Sequence, residues 1–213
     1  MTHAIAIAVA AAVGALSAIP IVHQLNSNRW RTSREPGVTQ VRWWVLAVAL
    51  GLVAGVIVWR LGTAQAWPAA AAALVLAGVG APIVVIDTAV RRVPEPIVLT
   101  AYALVAVVLL VGAVITGQWG ALGRAVACGA ILWVGFFLYA TLTSMGFGDV
   151  QLMGLAGLTL GWVGWWPGLL VAPAVLLVGG LWAVTLLVAG RRGAIAFAPP
   201  LLAGVLVTIL TVT

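Results

Sequence analysis

The sequence predicts an all-α membrane protein: a polytopic bundle of about eight transmembrane helices, formed as a single membrane-embedded unit over residues 1–213. Three observations lead there. Apolar residues make up 64% of the chain, and the mean hydropathy is +1.23. Charged side chains make up 7%, as ten arginines and four acids with no lysine, against about 25% in a soluble domain. The apolar residues also gather into runs close to the ~20 residues that a bilayer core requires of a helix. This composition excludes a soluble globule, a disordered chain and a disulfide scaffold. The one cysteine, Cys128, lies in an apolar run and is read as a small core residue.

The runs follow in order. The first, 4–23, has no positive charge before it, since the first arginine is Arg29. A cleavable signal carries its charge ahead of the apolar run, so this run is expected to stay as the first span. The gap 24–42 is the longest and too short for a soluble domain. The second run, 43–59, opens on Trp43 and Trp44 and closes on Trp59, and the third, 66–86, opens at Trp67 and stops at Asp87. The fourth, 97–115, follows Pro94 and Pro96, and the fifth, 125–143, follows Trp119. The sixth, 150–165, is short and glycine-rich, which suits a tilted or re-entrant segment. The seventh, 168–189, follows Trp165 and Trp166, and the eighth is 195–211. Indoles at run ends suit the headgroup level, where an amphipathic ring is favoured.

Charge then gives an orientation. The first, third and seventh loops hold Arg29, Arg31, Arg34, Arg42, Arg91, Arg92, Arg191 and Arg192, while the second and fourth hold Arg60 and Arg124. By the positive-inside rule the first set faces the cytoplasm, and both termini lie outside. Arginines spread over short loops read as topogenic charge rather than a nucleic-acid surface, so the lipid bilayer is the expected partner. Acidic inner-leaflet lipids would be drawn to the first loop. His23 falls at the cytoplasmic end of the first run.

The four acids are Glu35, Asp87, Glu95 and Asp149. Glu35 precedes Pro36, and Glu95 lies between two prolines, so both are read as solvated loop acids. Asp87 ends the third run and Asp149 precedes the sixth, which puts both on the cytoplasmic face. Local readings exist: Asp149 as a helix N-cap, and Asp87 paired with Arg91. Ionisable groups bordering spans are costly and usually functional. Two facing carboxylates cannot both ionise when close, so one acts as base and the other as acid. The base activates a water while the acid protonates a peptide carbonyl. This is aspartyl proteolysis, and it calls for no metal or cofactor. Gly146 and Gly148 around Phe147 leave the backbone free for a close approach to substrate. Gly154, Gly157, Gly161 and Gly164 lie on one helix face and favour close packing, which would help bring together the spans carrying the aspartates. A small ion-coupled transporter or an assembly scaffold remains the alternative from composition alone, although transporter sites sit nearer the midplane.

These residues resemble the type IV prepilin leader peptidases. "DTAVRRVP" (87–94) is similar to that family's first aspartate motif, and "GFGDVQLMGLAGLTLG" (146–161) to its Gly-x-Gly-Asp motif. "IAFAPPLLAG" (195–204) is similar to the proline-rich start of its last span. The resemblance covers 87–204. It implies a bacterial cytoplasmic-membrane aspartyl endopeptidase that removes the basic leader of prepilins or pseudopilins. Asp87 and Asp149 would be the catalytic pair, with Gly146, Phe147, Gly148 and Gln151 in the substrate-binding loop.

The chain departs from the family pattern in three places. The first loop has no cysteine, so no zinc site is expected, and the resemblance does not extend to the methyltransferase activity of longer members, which is left open. Gln151 stands where lysine is usual. Ala196 and Ala198 replace the usual proline and glycine.

Overall fold

The computed structural model describes residues 2–27, 41–143, 145–190 and 196–211. Arg29, Arg31, Arg34, Glu35, Arg191 and Arg192 lie outside the described residues, so half of the arginine argument rests on sequence alone. The described chain is all helical. It comprises α1 (Thr2–Asn26), α2 (Trp43–Leu61), α3 (Trp67–Val90), α4 (Glu95–Thr116), α5 (Trp119–Leu142), α6 (Phe147–Gly161), α7 (Trp165–Val188) and α8 (Ala198–Thr211). Four of the eight begin on a tryptophan that the sequence placed at a span boundary, and all four of those indoles except Trp67 are more than half exposed.

Six helices, α1 to α5 and α7, are long and apolar enough to cross a membrane. The chain is a multi-pass membrane protein. The two short helices refine the expected eight spans. With a rise of about 1.5 Å per residue, the 15 residues of α6 and the 14 of α8 reach only ~22 Å, less than the ~30 Å hydrocarbon core. Helix ends also move. The third helix continues beyond Asp87 to Val90, and the fifth begins at Trp119 and so takes in Arg124. Glu95 is exposed as expected, but as the first residue of α4.

Burial divides the bundle into two classes. Large apolar side chains of α1, α2, α4, α5 and α7 project outward, for example Val9, Leu52, Val114, Leu138 and Leu181. This belt is the surface that a bilayer covers. α3 exposes no large apolar side chain, and α6 exposes only Phe147 at its first residue. The two helices that carry the aspartates are thus the interior ones. α6 is packed against α3, α4, α5, α7 and α8.

Small residues make that burial possible. A Cβ at Gly157 would come within 2.8 Å of the Cys128 carbonyl oxygen, and one at Gly161 within 2.9 Å of the Ala125 Cα. The α5 and α6 backbones therefore lie in near contact, the close approach that small residues permit between membrane helices. Cys128 is fully buried in this seam, as expected of a core residue. Gly164 falls beyond the end of α6, at the cap of α7; the rest of the glycine face does not draw α6 toward α3, as the sequence suggested, since Gly157 and Gly161 seat α6 on α5 and α3 packs elsewhere on it.

Arg124, expected as a loop charge, has a structural role. From α5 its Nε donates to the Gly161 carbonyl at 2.9 Å and an Nη to that of Trp162 at 2.6 Å. Cations are favoured at helix C-termini, where carbonyls lack intrahelical partners. Trp162 is 2% exposed and its indole donates to the Gln65 carbonyl; it is a core residue rather than an interfacial one.

Substituting Gly157→Val is expected to destabilise the protein by about 1–3 kcal/mol through overpacking against backbone that has little room to move. Thermal unfolding in detergent measures it, and an unchanged midpoint would contradict the close α5–α6 seam.

Candidate active site

The site forms at one end of the bundle, where α3 and α5 end and α4, α6 and α8 begin. Asp87 lies one turn before the end of α3, and its backbone carbonyl accepts the Arg91 amide at 2.8 Å. Arg91 closes the helix in the left-handed conformation, at φ 53°. The Asp87–Arg91 link considered from sequence therefore exists between backbones. The Asp87 carboxylate turns to α8 instead, where Oδ2 accepts the Ala198 amide at 3.0 Å and the Phe197 amide also binds the carboxylate.

Asp149 is the third residue of α6, not its N-cap. Gly146 occupies the cap position in extended conformation, at φ −71° and ψ 143°. The Asp149 carboxylate reaches back to the Gly146 backbone amide, which is the reciprocal half of a capping box. Its other oxygen, Oδ1, is buried with no hydrogen-bond partner among the described residues. Both aspartates are buried, Asp87 at 5% exposure and Asp149 at 8%. They are close enough for the charge of Asp87 to act on Asp149. Two carboxylates from separate interior helices, with one oxygen left without a donor, form an arrangement that can share a proton.

The loop glycine has a steric reason. A Cβ at Gly148 would run into the side chain of Val93, with Cγ1 at 3.0 Å. Val93 belongs to the corner between α3 and α4, so the segment that follows Asp87 seats directly on the turn that carries Asp149. Gly146 faces Asp149 itself, and a Cβ there would lie 3.4 Å from Oδ2. Phe147 is half exposed and meets Trp133 and Phe137 of α5 edge-on, with ring centroids at 6.1 and 6.4 Å. Those two rings are themselves stacked at 5.2 Å.

Gln151 is buried at 8% exposure, where a neutral amide costs less than the lysine ammonium of the family pattern. Its backbone carbonyl accepts the Tyr102 hydroxyl at 2.7 Å, which ties α4 to the first turns of α6. Across α3, the cleft of about 550 Å³ between α1, α3 and α4 is lined by His23, Gln24, Ser27, Ile86 and Ile97. It places His23 near the residue preceding Asp87.

Several participants were not anticipated from sequence: Val93 as the partner of Gly148, Tyr102, the Trp133–Phe137 pair, and the amides of Phe197 and Ala198. The third motif pointed to the last group, since its proline-rich start is the first turn of α8. The substitution of alanine for glycine at 198 leaves the donating N–H in place.

The family model of the type IV leader peptidase family matches residues 73–212, from within α3 through α8. No curated protein and no solved structure matches the chain.

The Gly148→Ala change is expected to destabilise the protein, and Val93→Ala to relieve part of that loss. A double-mutant cycle on thermal unfolding should give a coupling of about 0.5–3 kcal/mol; additive effects would mean that the two motifs do not bear on each other.

Proposed function

The chain belongs to the type IV leader peptidase family, and we propose that it is an aspartyl endopeptidase that cleaves the leader of prepilins or pseudopilins, with Asp87 and Asp149 as its catalytic pair. The observation that carries this reading is the burial of the chain's only two aspartates, on α3 and α6, close enough for one charge to act on the other; they are the buried acids among the described residues. One carboxylate takes a proton from water as the oxygen attacks the scissile carbonyl carbon. The other protonates the carbonyl oxygen. Collapse of the resulting diol breaks the C–N bond, and the leaving nitrogen receives the proton first taken from water. No residue beyond the pair is needed for proton transfer.

The open backbone at Gly146, the exposed ring of Phe147 and the Val93-bound Gly148 lie beside Asp149 and form the substrate-binding loop in this reading, with Gln151 one turn further along. The arginine distribution supports a site at the cytoplasmic face of a bacterial cytoplasmic membrane, with both termini outside. A substrate anchored in the same bilayer would bring its cleavage site to that face. N-methylation of the product forms no part of the proposal.

Co-expression with a prepilin tests the reaction. Wild-type protein should shorten the substrate, and Asp87→Asn or Asp149→Asn should each lower processing by at least about 100-fold, as expected when one member of a unit is removed. Full processing by either variant would overturn the assignment. Orientation is tested separately. Because Cys128 is buried, single cysteines introduced at the exposed Thr63 and Thr143 should stand out against a low background. A membrane-impermeant thiol reagent added to intact cells should label Thr63→Cys and spare Thr143→Cys; the reverse pattern would invert the topology.

A further inference from the structure

The two aspartates are not equivalent, and the difference lies in what each is offered by the backbone. Asp87 receives the amides of Ala198 and Phe197 at the start of α8. The first turn of a helix ordinarily leaves four free N–H groups. In α8 the second and third positions are Pro199 and Pro200, which have no N–H, and the Leu201 amide is bound to the Phe197 carbonyl at 3.1 Å. The donors at this helix end are thereby reduced to the two that Asp87 accepts. The position of that end is fixed on both sides. Gly80 of α3 receives Leu202, Gly204 lies against the Val175 backbone of α7, and the Phe197 ring lies over Gly179.

Asp149 is treated differently. It has the Gly146 amide on one side, and its Oδ1 is a buried acceptor with no donor among the described residues. A buried unmet acceptor is costly, and a proton on it converts it to a donor. From these two environments we infer that Asp87 is the base that takes the proton from water, that Asp149 carries the proton given to the scissile carbonyl, and that the α8 first turn, through the Ala198 amide, is the positioning element that fixes these roles. This deepens the proposed peptidase reading and rests on it for the reaction, though not for the protonation order.

Beyond Arg91 and Arg92 at the end of α3, the described helices packed on it bring few ionisable groups. Of the helices packed on α3, α8 contributes no ionisable side chain over Ala198–Thr211. α2 has only Arg60, in its last turn at the far end. α4 has Glu95, exposed, and Tyr102, whose hydroxyl is engaged by the Gln151 carbonyl. α1 has His23 in the cleft on the other side of α3, and α6 has Asp149 itself. In the step, the Asp87 carboxylate gains the water proton as the carbon–oxygen bond forms, and Asp149 loses its proton to the carbonyl oxygen. When the C–N bond breaks, Asp87 returns its proton to nitrogen and Asp149 recovers one from the diol, so both regain their starting state.

The chain has two aspartates and no others, so carboxyl-¹³C aspartate reports on the pair alone in isotope-edited infrared spectra of the purified full chain. At neutral pH the Asp87→Asn protein, which retains Asp149, should keep the protonated-carboxyl band. The Asp149→Asn protein, which retains Asp87, should lose it. Adding Ala198→Pro to Asp149→Asn removes one donor at a helix position that tolerates proline and should restore part of the band. The opposite pattern in the single variants, the same band in both, or no response to Ala198→Pro in a folded protein would overturn the inference. Should the proline variant fail to fold, the two single variants still decide the order. These spectra need no substrate, so failure of the protonation order is separable from failure to process a prepilin.

Discussion

The near contact of the α5 and α6 backbones is the constraint on which the rest of the site depends. A helix in the middle of a membrane bundle gains little by burying apolar surface, because lipid is equally apolar. What holds α6 at the centre is close packing, made possible by Gly157 and Gly161 against Ala125 and Cys128, together with polar bonds that have no substitute in hydrocarbon. Arg124 binds the carbonyls at its C-terminal end, and Tyr102 binds the Gln151 carbonyl near its N-terminal end. A short helix fixed at both ends presents its first turn, and Asp149 with it, at a defined place.

The second aspartate is brought to the same place by different means. α3 is held between α2, α4, α6 and α8, and its last turn leads into a corner whose Val93 rests on Gly148. The amides of α8 then take the Asp87 carboxylate. Three chain segments that are distant in sequence thus converge through one steric contact and one helix end. This gives a physical meaning to the three motifs: each is the part of its segment that touches another.

Much of this was legible in the sequence because charges are so scarce. Ten arginines and four acids among 213 residues leave few positions for chemistry, and the tryptophans marked where α2, α3, α5 and α7 begin. The sequence also identified α6 as unusual, through its length and glycines. It could not show which neighbour those glycines face, since a small-residue stripe specifies close approach without naming the partner. Arg124 looked like a loop charge because hydropathy places the span start after it, whereas the helix begins at Trp119 and carries the guanidinium to the end of α6. The Asp87 contact lay furthest from view. Its donors are backbone amides, and their availability depends on prolines that read in sequence only as a helix start.

The helix lengths set the depth of the site. α5 and α6 run antiparallel: Arg124 meets the end of α6, and Trp133 and Phe137 meet Phe147 at its beginning. α5 continues from Phe137 to Leu142 and α3 from Asp87 to Val90, roughly one helical turn in each case at about 5.4 Å per turn. The carboxylates therefore lie below the rim formed by the surrounding helix ends rather than at its edge. In that position they are shielded enough for their mutual charge to matter, because screening by solvent falls with burial. A deeper pair would need its own water path, and a pair at the rim would be screened by solvent and lose its mutual coupling. The shortness of α6, which in hydropathy looks like a weak span, is what sets Asp149 below that rim.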